Sequence, residues 1–199
     1  MFVQRGKNYT TCRDCNERKQ VEQHEALRRS VQGQRISTYA SSMDQFARGL
    51  VSYINSSDDV FFVELGGEAR KAWKMPPMVR GATVDGGFDR GGLSYTFPTI
   101  DMWENGNATS IKSIDLGAQS YRSTNALDRQ IAHYIDQLAA YGGESRRDPN
   151  INKEAIVERT LILVVPLMGA RDYQLGYLYT LRNGYARSKR VRLVVFVVD

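Results

Sequence analysis

Cysteine and histidine are scarce, with two of each in 199 residues. The cysteines, Cys12 and Cys15, form a single Cys-Arg-Asp-Cys. A zinc knuckle needs two further ligands. His24 is one candidate and His133 lies far along the chain. Ordinary thiols or a contingent disulfide are therefore the default reading, ahead of a structural zinc or a redox pair. Long apolar runs are also missing. The longest, Leu161 to Met168, falls far short of the roughly 20 residues that span a bilayer. Met1 to Thr11 are polar and lack the apolar centre of a secretory signal. No membrane association is expected, and any delivery falls to a carrier. No internal repeat or low-complexity tract stands out.

What is present suits one domain, or one domain with an appended N-terminal segment. Hydrophobic residues make up 42% and charged residues 25%, so the chain as a whole is not expected to be disordered. The formal charge is +5. A modest positive excess fits a polyanion such as nucleic acid, fits an acidic protein equally, and often means neither.

Residues 1–35 are polar and rich in Gln and Arg, and read as a flexible or loosely helical lead-in. Over 37–55, Tyr39, Met43, Phe46, Leu50, Val51 and Ile54 recur at spacings of three and four, which predicts a helix. Val60 to Leu65 reads as a short strand, and Pro76-Pro77 breaks the chain before a helix over about 78–84. Strands follow at Thr96–Trp103 and Ala108–Leu116. An amphipathic helix covers 125–141, with Leu127, Ile131, Ile135 and Leu138 on one face and Gly142 at its end. A buried strand at Thr160–Pro166, a helix over 171–187 and a last strand at Leu193–Val198 complete the order. Helix and strand alternate after 125, so some parallel pairing is expected in an α/β or α+β core with a mixed sheet. The division expected is a polar, helical segment at 1–70 and a folded domain at 71–199.

Asn105-Gly106 between the two strands is a strong hairpin signal. As a two-residue turn it pairs Glu104 with Asn107, Asp101 with Ser110 and Thr99 with Lys112. Alternation then sets Asp101, Ser110 and Lys112 on one face, with opposed Cβ atoms roughly 5 Å apart. A carboxylate, a hydroxyl and an ammonium on one patch suit metal-assisted phosphodiester cleavage. The plainer alternative is an exposed Asp–Lys pair of little energetic weight.

Phe97-Pro-Thr-Ile-Asp101, a short loop, and Ala108-Thr-Ser110-Ile-Lys112-Ser-Ile-Asp115-Leu116 together resemble the active-site hairpin of contact-dependent growth-inhibition nuclease toxins. These toxins belong to the PD-(D/E)xK superfamily, with Ser in place of the second acid. The resemblance implies a restriction-endonuclease-like core, a mixed central sheet flanked by helices, and a divalent metal (Mg²⁺, Mn²⁺ or Zn²⁺). It also implies DNA or tRNA as substrate, a cognate immunity protein, and delivery by a larger effector into a target bacterium's cytoplasm. On the match, Asp101 is the metal-binding aspartate, Ser110 the serine variant position and Lys112 the catalytic lysine. A looser similarity runs from Pro76 to the C-terminus and includes Arg80-Gly81. Family members carry a helical glutamate after that Arg-Gly to complete the metal site. Here Asp85 stands at that position, one methylene shorter, with Gly86-Gly87 behind it. Glu64 and Glu68 are the alternative acids.

The basic residues Arg80, Arg122, Arg146, Arg147 and the run Arg187-Ser-Lys189-Arg190-Val-Arg192 are candidate phosphate contacts, or else a solvated helix end. Tyr121, Tyr173, Tyr177 and Tyr179 either stack on bases or pack internally. His133 is read as structural. Two rivals to a nuclease remain at this stage: a non-catalytic nucleic-acid-binding domain, and a module that docks an acidic protein.

Overall fold

The runs at 160–166 and 193–198 are apolar at nearly every position, the pattern of strands covered on both faces. In the computed structural model they lie at the centre of a mixed six-stranded sheet. The structure describes residues 38–40, 60–65, 67–86, 92–94, 96–122, 124–166 and 169–198. The strands are β1 (Thr38–Ala40), β2 (Val60–Leu65), β3 (Met102–Glu104), β4 (Asn107–Ser113), β5 (Glu158–Pro166) and β6 (Arg192–Val198), in spatial order β1-β2-β6-β5-β4-β3. Neighbours pair in parallel except β3 and β4, which form an antiparallel hairpin. The helices are α1 (Gly67–Ala72), α2 (Pro77–Gly86), α3 (Thr124–Ala140) and α4 (Asp172–Leu181), the last running into a π-helical turn at Arg182–Ala186. The expected mixed sheet flanked by helices is what forms.

Helix α3 buries Leu127, Ile131, Ile135 and Leu138, each at most 1% exposed. They pack with Ala108, Leu161, Leu163, Val165, Leu193, Val195 and Val197 in one core. Each large side chain so buried contributes about 1.5–3 kcal/mol. The alternate positions Ile111, Ile162, Val194 and Phe196 are equally buried on the other face of the sheet. Helix α2 packs on β4 and buries Val84. Both faces of β4 are thus covered, and the chemistry is left to its carboxyl end.

Several expectations need correction. The first hairpin strand does not start at Thr96. Thr99 takes φ 68°, which a ladder cannot follow, and β3 holds three residues. Phe97 and Ile100 instead turn into the core. The helix expected over 37–55 is a strand at Thr38–Ala40, paired with β2; residues 41–55 lie outside the described residues. Local periodicity carries no information about a parallel partner more than twenty positions away, and here that partner decides. Helix α1 begins at Gly67, where no helix was expected; Glu-Ala-Arg-Lys-Ala are favourable helix formers. Strands β1 and β2 lie on the 1–70 side of the expected division and join the same sheet as β6. Cys12, Cys15 and His24 lie outside the described residues.

Candidate active site

The hairpin turn is built on Asn105 at φ 50° and Gly106 at φ 82°, the two left-handed residues that match strand twist. A Cβ on Gly106 would stand 2.9 Å from Val157 Cγ2 and 3.0 Å from the Ala155 carbonyl, so the position needs glycine twice over. The turn sets the register: Glu104 opposes Asn107, Trp103 opposes Ala108, and Met102 opposes Thr109. The Asp101 N–H extends the ladder by donating to the Thr109 carbonyl at 2.8 Å. Asp101 is thereby held beside Ser110, although it lies just beyond β3.

Three donors meet on one Asp101 oxygen, Oδ2. The Ile111 N–H donates at 2.7 Å, Lys112 Nζ at 3.0 Å and Ser110 Oγ at 3.3 Å. Lys112 Nζ also donates to the Ile111 carbonyl at 2.9 Å. Ser110 is buried, while the Lys112 and Asp101 side chains keep 30% and 14% of their exposure. The pair is therefore more sheltered than an ordinary surface ion pair. A carboxylate oxygen and a carbonyl oxygen converge on a single cation, here an ammonium. Hard divalent cations prefer that donor chemistry, so the residues fit a metal of that kind. Among the described residues no three His, Cys, Asp or Glu side chains converge. Asp85 rides on the last turn of α2, as a helical acid should, but its side chain lies outside the described residues.

A cleft of about 620 Å³ opens at the carboxyl end of β4, between the segment 73–81 and the turn after β4, with Lys112 in its wall. Arg80 lines it and is only 4% exposed. Its Nε reaches Ser113 Oγ at 3.5 Å, and its guanidinium carbon lies 5.4 Å from the Trp73 ring centre. Tyr121 lines the far side. Burial pushes its hydroxyl above the usual tyrosine range and Tyr134 adds to this, while Arg80 pulls the other way. Tyr121 thus stays a neutral donor at physiological pH.

The remaining sequence candidates sit elsewhere. Arg122, Lys189 and Arg190 do not line the cleft. Arg122 is exposed and its carbonyl accepts from Tyr173 Oη at 2.7 Å. Arg190 is exposed at φ 56°. Lys189 Nζ lies 2.8 Å from Asp136 Oδ1 and 5.2 Å from the Tyr185 ring centre. Tyr185 Oη also donates to both Asp136 oxygens, at 2.9 and 2.8 Å. Tyr177 packs against the core and Tyr179 is 47% exposed. His133 is exposed, tilted against Tyr134.

The Lys189 and Tyr185 hydrogen bonds hold the Asp136 carboxyl below its ordinary range. A depressed carboxyl favours the fold above its unfolded pKa and loses that contribution as pH falls through the folded value. The group is solvent-exposed, so the effect is small and salt-screened. Lys189→Ala is expected to lower the unfolding temperature slightly near neutrality and not at all once the carboxylate is protonated. Melting curves from pH 2 to neutrality check this; an equal loss at every pH contradicts it.

Two residues of the site escaped the sequence reading. Trp73 carried no motif, and its indole Nε1 is buried without a partner among the described residues. Gln174, fully buried, donates through Nε2 to the carbonyls of Leu116 at 3.0 Å and Tyr121 at 2.9 Å, so it anchors the turn that forms the cleft wall. The one available signal was its place three residues after Arg171 at a helix start, where Gln closes back on the N-cap N–H.

Among known proteins, residues 78–196 match the family model described as the CDI toxin restriction endonuclease-like domain. No curated protein sequence matches. Among solved structures, the fold is similar to the CdiA-CT/CdiI toxin and immunity complex from Yersinia pseudotuberculosis. The identity is 21% over 54% of this chain and 87% of that one, at a TM-score of 0.46.

Proposed function

This chain belongs to the family of CDI toxin restriction endonuclease-like domains, and from that premise we propose that it is a metal-dependent endonuclease toxin hydrolysing phosphodiester bonds in nucleic acid. The observation that carries this reading is the convergence of Asp101, Ser110 and Lys112, of which Lys112 also lines a cleft with a basic wall. Asp101 and the Ile111 carbonyl would hold the metal, with Asp85 as the helix-borne acid beside them. A divalent ion supplies positive charge at the scissile phosphate and acidifies water there. Lys112 orients the attacking water or stabilises charge developing on the phosphate. Ser110 steadies the Asp101 carboxylate through its hydroxyl. Arg80 takes a phosphate oxygen inside the cleft, and Arg122, Lys189 and Arg190 contact the backbone outside it.

DNA is the proposed substrate ahead of tRNA, because the Asp…Ser-x-Lys arrangement resembles the metal-dependent DNases of the group. Residues 71–199 are assigned to the nuclease domain, with β1 and β2 extending its sheet. A cell that makes such an enzyme needs protection, so a cognate immunity protein is the proposed partner. Delivery by a larger effector into the cytoplasm of a target bacterium completes the reading.

Incubation of the chain with plasmid DNA and with total tRNA, in Mg²⁺, Mn²⁺, Zn²⁺ or EDTA, tests it on a gel. Cleavage of DNA with at least one metal and none in EDTA is the expected result. Cleavage of tRNA alone corrects the substrate, and full activity in EDTA removes the metal from the mechanism.

A further inference from the structure

Resting on the nuclease reading, we infer that the cleft beside Lys112 receives one unpaired nucleotide, its phosphate on Arg80 and Lys112 and its base against Trp73, Met78 and Tyr121. The preferred substrate is then single-stranded, or duplex only where a base is extruded.

Size comes first. A volume of about 620 Å³ suits a small enclosed ligand, whose sites run from roughly 300 to 1,000 Å³. A base stacked inside a duplex cannot enter such a space without leaving the stack. Charge comes second. Lys74, Arg80 and Lys112 line the cleft against one carboxylate, Asp115, so the wall favours an anion.

Donors are the third argument. Arg80 is 4% exposed, and among the described residues its side chain makes one 3.5 Å hydrogen bond and lies over a ring. The rest of its planar fork matches a phosphate. The Trp73 indole N–H, buried without a partner among the described residues, adds a second donor beside it. The fourth is the apolar rim. Met78 is 88% exposed at the cleft although it is a large thioether. Together with the Trp73 and Tyr121 rings it offers the flat, sequence-tolerant surface on which bases stack.

The test is equilibrium binding in EDTA, where no cutting intervenes. Fluorescein-labelled DNA and RNA single strands of about 12 nucleotides are titrated by anisotropy beside a duplex of the same sequence. Single strands are expected to bind about tenfold or more tightly than the duplex, and the two sugars show which strand is favoured. Trp73→Ala is expected to weaken single-strand binding roughly 5- to 150-fold, and Trp73→Phe to restore most of it. Met78→Ala, at an exposed position that tolerates truncation, is expected to weaken it several-fold. Duplex binding as tight as single-strand binding overturns the inference. So does single-strand affinity that neither Trp73→Ala nor Met78→Ala moves. A chain that shows the preference but cuts nothing with any metal loses the nuclease reading and keeps the nucleotide site. One that cuts without the preference does the reverse.

Discussion

Lys112→Ala and Asp101→Asn are each expected to slow nucleic-acid cleavage by about 10²–10⁴-fold, the range for removing a positioned proton-transfer group, while the chain stays folded. The two halves of that statement have separate grounds. Lys112 keeps 30% of its side-chain exposure, so water partly replaces its ion pair with Asp101, and the loss lies at or somewhat above the roughly 1 kcal/mol upper end of a surface pair, too little to unfold the chain. Asparagine at 101 matches the shape of the native side chain and still accepts from the Ile111 N–H that Asp101 Oδ2 now binds at 2.7 Å. What both variants remove is charge at the point where Asp101 Oδ2, the Ile111 carbonyl and Lys112 Nζ meet. Groups that act as a unit lose their effect together, so the double variant is expected to be no slower than the worse single one. Single-turnover cleavage measures the rates and circular-dichroism melting checks the fold. Either variant cutting within threefold of the unaltered chain removes its residue from the machinery, and multiplicative losses would mean that the two act independently.

The site was legible because its geometry is local. A two-residue turn leaves a hairpin little freedom, so over Met102–Glu104 the observed register is the one expected from Asn105-Gly106, while the ladder stops at Met102 and the expected Thr99–Lys112 pair is not part of it. Long amphipathic or apolar stretches were legible for a similar reason: α3, β5 and β6 each carry their burial pattern in consecutive residues. What failed depended on distant partners. Thr38–Ala40 is a strand because β2 lies beside it, and no nearby residue reports that. The Thr99 backbone leaves the ladder although Thr favours strands, since Phe97 and Ile100 are drawn into the core around it. Arg80 could be named as a phosphate contact from charge. Its burial against Trp73 could not, because that needs α2 laid across the end of β4.

Gln174 gives the largest expected loss of stability, and it tests how the cleft wall is held. Its amide is fully buried between α4 and the turn after β4. It donates to the Leu116 and Tyr121 carbonyls and accepts from the Arg171 N–H at 2.7 Å. Gln174→Leu fills nearly the same volume and strands three backbone groups. Each buried polar group left without a partner costs about 1–3 kcal/mol. Water reaches two of these contacts in part, so the total expected is about 3 kcal/mol rather than the full sum. For a chain of this size that corresponds to an unfolding temperature lower by about 6–12 °C. The wall itself should loosen as well, since Tyr121 loses the bond that fixes its backbone. Gln174→Glu separates the two roles: it keeps the acceptor for Arg171 but loses the donor to Leu116 and Tyr121, so it should share the damage to the wall while keeping the helix start. Calorimetry on both variants, with single-strand binding measured well below either melting temperature, reads the two effects apart. If Gln174→Leu melts within about 2 °C of the unaltered chain, the turn is held by its other contacts, chiefly the Tyr173 hydroxyl on the Arg122 carbonyl. Lost stability with unchanged binding would instead show that the wall keeps its shape without this amide.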